Sequence, residues 1–201
     1  MLTLDQPSQQ LQRIKQLQWL TIGWMTIEAC ASLVAAWIAH SPALLAFGGD
    51  SAIELVSAAV VLRRFGKDSA EAEMPAARLT GLLLFALAGF VAAVSVLSLL
   101  GYSKPKPNYL GIAVLVVAAL FMPWLAREKR LLSAATGSAA LRADATESAL
   151  CGYLSLIALA GIGLNSVWHI GWADPVAALL ILPLVIKEGI DAMRHKLCCC
   201  V

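Results

Sequence analysis

Six long apolar runs follow one another along this chain, and their length limits the folds that are open to it. A helix needs about 20 consecutive apolar residues to cross the hydrocarbon core of a bilayer, and the first run contains a single charged residue, Glu28. Within lipid, all backbone polar groups must be hydrogen-bonded inside the protein, which a helix achieves. The sequence therefore predicts an all-α, polytopic membrane protein with six transmembrane helices. They cover approximately residues 17–39, 43–62, 78–100, 109–126, 141–167 and 174–188.

Composition supports this class and argues against a nucleic-acid partner. The chain is 60% hydrophobic and 14% charged, whereas soluble domains average about 25% charged residues. Its net charge is +2, and it has no basic stripe interleaved with aromatic residues of the kind that binds nucleic acid. The first run is longer than the core of a signal peptide and no small-residue cleavage pattern follows it, so we expect it to remain as a helix.

The distribution of basic residues predicts the orientation of the chain. Lysine and arginine are concentrated in the N-terminal tail, in the loops after the second and fourth runs and at the C-terminal end, whereas the loop after the third run contains Lys104 and Lys106. The positive-inside rule then places both termini in the cytoplasm. We expect a cytoplasmic tail over residues 1–16, a six-helix transmembrane domain over 17–190 and a short Cys-rich cytoplasmic tail over 191–201.

Two carboxylates, Asp50 and Glu54, lie inside the second apolar run. A spacing of four residues leaves them about 40° apart on a helix, one turn above the other. A carboxylate at the bilayer centre costs about 2.5 to 3.5 kcal/mol on insertion scales, so acids at this depth face a protein interior or a water-filled path. Arg63 lies about 20 Å beyond Asp50 along the helix, too far for an ion pair within it. A divalent cation bound by both acids would offset the cost of burying them.

A second group of acids opens the fifth run. Asp144, Ser148 and Cys151 are spaced by four and then three residues along one stripe of a helix, and Glu147 lies to one side of it. We expect the second and fifth helices to meet, so that their acids bind one metal ion, with Ser148 or water as the fourth ligand. The predicted metal ligands are Asp50, Glu54, Asp144 and Ser148, with Glu147, Cys151 and Glu28 as further candidates.

The chemistry of this ligand set does not identify the metal. Oxygen-rich sites suit Mn²⁺, Fe²⁺ or Mg²⁺, whereas zinc more often takes histidine or cysteine but also accepts carboxylates. Simpler interpretations of the acids remain as well. Glu28 is explained equally well by a hydrogen bond to a neighbouring helix and by a site-lining or proton-carrying role. Acids could also pair with arginines near the helix ends, although Arg142 lies on nearly the opposite face from Asp144.

Three consecutive cysteines, Cys198, Cys199 and Cys200, lie near the C-terminal end. They could capture soft cations as thiolates, be acylated close to the membrane, or have no specific role. With Cys30 and Cys151 inside apolar runs, the five cysteines do not resemble the disulfide framework of a secreted protein.

The stretch LLAFGGDSAIE, residues 44–54, resembles the second-span signature of the cation diffusion facilitator family, in which Asp or His and then Asp, four residues apart, bind a divalent metal. The stretch Ala-Asp-Ala, residues 143–145, followed by Ser148, resembles the fifth-span signature. The likeness covers all six apolar runs in order and length, and about twenty residues carry its specific part.

This resemblance implies a six-helix antiporter that exports Zn²⁺ or a related cation such as Mn²⁺, Fe²⁺, Co²⁺ or Cd²⁺, with H⁺ as the coupling ion. It implies a homodimer in a lipid bilayer, which we expect to be a bacterial inner membrane, with no prosthetic group and no enzymatic activity. The ligands that it implies here are Asp50, Glu54 and Asp144.

The chain departs from the family pattern at three points. Glu54 stands where the family has aspartate, which lengthens the reach but keeps the charge. The fifth run offers one strong ligand, because the positions four residues before and after Asp144 are Ala140 and Ser148. Few residues follow the sixth run, so we expect a short form without the family's cytoplasmic C-terminal metal-binding domain.

Two other functions fit an apolar chain with buried acids. One is a membrane-embedded scaffold or accessory subunit, in which polar groups hold helices together. The other is an intramembrane metal-dependent enzyme. The sequence contains no His-Glu-x-x-His, no Gly-x-Ser-x-Gly and no Asp-rich prenyl-phosphate motif, which argues against the enzyme.

Overall fold

Six α-helices and no strand are present in the described part of this computed structural model, which comprises residues 6–64, 73–137 and 139–194. The predicted all-α class is therefore confirmed. The three C-terminal cysteines, Cys198, Cys199 and Cys200, lie outside the described residues. The helices are α1 (Gln6–Ala39), α2 (Pro42–Arg64), α3 (Glu73–Leu99), α4 (Tyr109–Thr136), α5 (Ala139–Trp168) and α6 (Ala173–Arg194).

Four of these helices, α1, α3, α4 and α5, are long and apolar enough to cross a membrane by length and composition. Large apolar side chains cover the outside of the bundle, among them Trp37 at 82% exposure and Leu120 at 73%. Such a surface is unfavourable in water and suits contact with lipid chains. The chain is a multi-pass integral membrane protein, as predicted, and α2 and α6 pack within the same bundle.

The helices extend beyond the apolar runs. α1 begins at Gln6, inside the predicted N-terminal tail, and α6 continues to Arg194, inside the predicted C-terminal tail. α4 continues to Thr136 through the predicted loop and ends at Gly137, which has a φ of 68° in the left-handed region. An apolar run ends where lipid ends, whereas a helix ends where its last carbonyls are capped, here by a glycine.

α2 lies at the centre of the bundle, in contact with α1, α3, α5 and α6. Two consecutive glycines make this position possible. A Cβ on Gly48 would come within 2.5 Å of the Ser32 hydroxyl of α1, and one on Gly49 would come within 2.6 Å of the Leu87 side chain of α3. Small residues allow helices in a membrane to approach closely, so these glycines bring Asp50, the next residue, into the interior.

One end of the bundle is held together by side chains that bond the ends of other helices. The Asp174 carboxylate of α6 accepts hydrogen bonds from the Ser41 hydroxyl and from the Ala43 N–H at 3.1 Å, so it caps the start of α2. The Asn108 amide, which also caps α4, donates to the Ala35 carbonyl of α1 at 3.1 Å. These contacts fix the start of α2 against α6 and the start of α4 against α1.

Candidate metal site

Three carboxylates from two helices meet inside the bundle. Asp50 and Glu54 of α2 face Glu188 of α6, and one carboxylate oxygen of each residue lies within 4.8 Å of the other two. Asp50 has 1% of its surface exposed, and the other two residues are partly buried. Two oxygens that bind the same zinc ion lie at most about 4.4 Å apart, so a small rotation of these side chains would let one cation bind all three. We refer to Asp50, Glu54 and Glu188 as the acid triad.

The acid triad has no basic partner among the described side chains. Asp50 and Glu188 are hydrogen-bonding neighbours, and two carboxyl groups in contact need a proton or a cation between them. Asp50 Oδ1 and Glu188 Oε1 are buried and have no hydrogen-bond partner within the described residues. Among the side chains that the structure describes, no Lys or Arg forms an ion pair with the triad. Because unpartnered buried oxygens are costly, the triad has the properties of a cation site.

Glu188 is the member of the triad that the sequence analysis missed. It follows Ala178, Ile181 and Val185 at helical spacing, and these three residues have at most 1% of their surface exposed. An acid in register with the buried stripe of a helix points to the interior. This signal was present in the sequence, but the adjacent Lys187 suggested the end of a span.

Glu28 of α1 belongs to a separate hydrogen-bond network beside the triad. Its Oε1 accepts from the Ser51 hydroxyl at 2.7 Å and from the Cys151 thiol at 3.2 Å, and its Oε2 accepts from the Trp24 indole at 2.6 Å. Of the two interpretations of Glu28, hydrogen bonding to neighbouring helices is observed, with donors on both α2 and α5, and the site-lining role stays a prediction. Because both of its oxygens have donors, Glu28 differs from Asp50.

The carboxylate of Asp144, on α5, forms an ion pair with a lysine of the same chain. The Lys129 ammonium of α4 lies 2.8 Å from Asp144 Oδ1 and also donates to the Ser148 hydroxyl at 2.9 Å. The second oxygen, Asp144 Oδ2, accepts from the Gln18 amide of α1 at 2.7 Å. Lys129 is completely buried, whereas 24% of the Asp144 side chain is exposed. We refer to Lys129 and Asp144 as the ion pair.

Comparison with known proteins shows which family this chain belongs to. A model of the cation efflux transmembrane domain matches residues 19–197, which is most of the chain. The chain belongs to the cation efflux family. A curated relative, the uncharacterized transporter YdbO of Bacillus subtilis (strain 168), is 27% identical over 186 residues, covering 87% of this chain and 64% of the relative. The chain thus spans less than two thirds of that relative's length.

This cation efflux domain brings together only part of the predicted ligand set. Asp50 and Glu54 lie side by side on α2, as their spacing predicts. Although α2 and α5 do contact each other, Asp144 is not a member of the triad, and both Asp144 and Ser148 are engaged by Lys129. The sequence placed Lys129 in a loop, so its approach to α5 was not foreseen.

The two remaining candidates on α5 lie near the triad without being members of it. Glu147 is exposed on α5 and adds negative potential at Asp50 and Glu54. Cys151 is buried and donates its thiol proton to Glu28. Both residues stay predicted ligands that lie outside the triad.

Proposed function

We propose that this protein exports a divalent metal cation, which binds to the acid triad. Membership of the cation efflux family supports this function, and one observation carries it: three carboxylates converge in the bundle without a basic partner among the described side chains. A divalent cation would neutralise two of the three charges and take the two unpartnered oxygens as ligands. If these acids served only to hold the helices together, their carboxylates would not need to face one another.

The proposed cargo is Zn²⁺, with Mn²⁺, Fe²⁺, Co²⁺ and Cd²⁺ as the alternatives to be compared. Three carboxylates and a water molecule would supply the four ligands that zinc takes in a site with one exchangeable position. Mn²⁺ and Fe²⁺ would draw additional water molecules into the same oxygen-rich site. The relative affinities therefore report how many waters the site admits.

Protons would compete with the metal for the same lone pairs, and this competition is the proposed basis of antiport. The carboxylates must be deprotonated to bind the cation, so binding releases protons and a rise in proton concentration weakens the metal complex. Alternation between two conformations that open the triad to opposite sides would then exchange the metal for protons. We expect the apparent metal affinity to fall as the pH is lowered.

The family resemblance and the distribution of basic residues support a proposal for the assembly and location of the protein. We propose a homodimer in a bacterial inner membrane with both termini in the cytoplasm. The mass of the purified protein in detergent, corrected for bound detergent, tests the dimer, and accessibility of single introduced cysteines on the two sides of sealed vesicles tests the orientation.

Transport by the purified protein alone is the decisive experiment. The protein is reconstituted into liposomes that contain a metal-sensitive dye, and a pH gradient, acid inside, drives uptake of each of the five cations in turn. We expect saturable uptake that stops when the gradient is collapsed. Asp50→Asn should abolish it. Asp191→Asn is the matched control, because Asp191 is an exposed acid on α6 outside the triad, and this variant should transport normally.

Two results would refute the proposal. Absence of uptake of all five cations by folded wild-type protein would favour the scaffold function. Equal uptake by Asp50→Asn and wild type would show that the triad is not the transport site.

A further inference from the structure

The ion pair occupies the position on α5 at which the family resemblance implies a metal ligand. Each acceptor there is already engaged: Oδ1 of Asp144 by Lys129, Oδ2 by Gln18, and the Ser148 hydroxyl by Lys129. The Ser148 hydroxyl in turn donates to the Asp144 carbonyl at 3.1 Å. A metal ion could bind here only by displacing the ammonium, because two cations cannot share these oxygens.

The burial of Lys129 makes that displacement unfavourable. None of its surface is exposed, so an ammonium removed from Asp144 would lose its counter-ion in an apolar interior. Separating a buried ion pair is strongly unfavourable for this reason. A side chain is also tethered to its helix and, unlike a transported ion, does not leave the site.

We propose that Lys129 is a resident counter-ion that excludes Asp144 and Ser148 from the ligands of the transported metal, so that these two residues of α5 take no part in coordinating it. This inference rests on the proposed function. Lys129 is then a positioning residue, which acts on metal binding through Asp144 and touches no cargo itself.

Removal of the resident cation should create a metal site where the ion pair was. In Lys129→Met the Asp144 carboxylate, the Ser148 hydroxyl and the Gln18 amide oxygen would remain as oxygen ligands. The Asp144 side chain is 24% exposed, so a cation from solution can reach it. We expect this variant to bind a second Zn²⁺ or Cd²⁺ ion per chain, and we expect the added Asp144→Asn change to abolish that second ion. A purely structural role of Lys129 predicts no additional bound metal.

The same variants test whether Asp144 contributes to the original site. The full chain, purified in detergent, is titrated with Zn²⁺ and with Cd²⁺, and bound metal is counted at equilibrium. The doubly neutral variant Lys129→Met with Asp144→Asn should bind the first ion within about twofold of wild type, as expected for sites that share no partner. Asp50→Asn should weaken that binding about 100-fold, the equivalent of about 2.7 kcal/mol.

Three outcomes have definite meanings. Loss of the first ion from the folded double variant, to the extent seen for Asp50→Asn, would overturn the inference and restore Asp144 as a ligand. Should the double variant fail to fold, the Ser148→Ala variant decides instead, because it removes only one hydroxyl. Unchanged affinity of Ser148→Ala for the first metal ion supports the inference. A tenfold or greater loss of that affinity, about 1.4 kcal/mol, overturns it. Absence of metal binding by wild type would instead refute the proposed function.

Discussion

The acid triad and the ion pair are two solutions to the same problem, which is the burial of carboxylates in an apolar bundle. At the ion pair, Lys129 lies 2.8 Å from Asp144, and the unit is neutral. At the triad, three acids face one another with two buried oxygens that have no partner in the described structure. The first site is complete within the chain, whereas the second requires a proton or a cation from outside.

We interpret this difference as that between a structural site and the proposed exchangeable one. A buried ion pair holds helices in place because breaking it leaves an uncompensated charge. A transport site must bind and release its ion, so its charge balance cannot be supplied by a tethered side chain. Removal of a single acid should therefore have opposite effects on stability at the two sites.

The largest predicted effect on stability is at the ion pair. Asp144→Asn should lower the free energy of unfolding by about 3 to 5 kcal/mol, because it leaves the completely buried Lys129 ammonium without its partner. Lys129→Met should cost less, since the orphaned Asp144 is partly exposed to solvent. Denaturant titrations in one detergent measure both values. Similar stability of Asp144→Asn and wild type would show that the pair does not hold the bundle together.

Asp50→Asn should change stability in the opposite direction. Neutralising one acid of the triad removes repulsion among carboxylates. We therefore expect the free energy of unfolding of the metal-free protein to rise by about 1 kcal/mol, a size typical of changes to buried polar groups that lack partners. Affinity for the metal should fall about 100-fold, which equals about 2.7 kcal/mol. Thermal unfolding with and without metal measures both effects. A destabilised metal-free variant would mean that Asp50 is held by partners other than the triad.

Glu188→Gln tests the metal ligand that we propose on α6. We expect about a tenfold loss of metal affinity, or about 1.4 kcal/mol, because the amide oxygen still offers a weaker, uncharged ligand. Asp191→Asn, on the same helix but exposed, is the matched control and should bind metal as wild type does. Equal affinities of the two variants would remove α6 from the site.

The smallest effect concerns the packing that places α2 between its neighbours. Gly48→Ala should cost about 1 kcal/mol after its gain in helix propensity is included, because the methyl group meets the Ser32 side chain and the Leu33 backbone. Gly23→Ala is the control, since nothing lies within 4 Å of the added methyl, and it should be neutral or slightly stabilising. The stability difference between the two variants isolates the close contact of α1 with α2.

Much of the fold and two of the three residues of the triad were predictable because they depend on local pattern. The apolar runs gave the helices, and the spacing of Asp50 and Glu54 placed both acids on one face of α2. The predicted partner on α5 was not a member of the triad, because a sequence pattern identifies the face of a helix but not the side chain opposite it. Lys129 illustrates this limit: its position after an apolar run suggested a loop, yet α4 continues through it.

The sequence by itself determined that this chain is a helical membrane protein of the cation efflux family with two acids one turn apart in its second helix. The length of an apolar run and the angle between residues on a helix are properties of the local chain, so no tertiary structure is needed to infer them. Only the tertiary structure decided that Asp144 pairs with Lys129 and that Glu188 joins Asp50 and Glu54. Electrostatic partners depend on distance through space, and that distance is set by the depth and neighbours of each helix, which no local pattern contains.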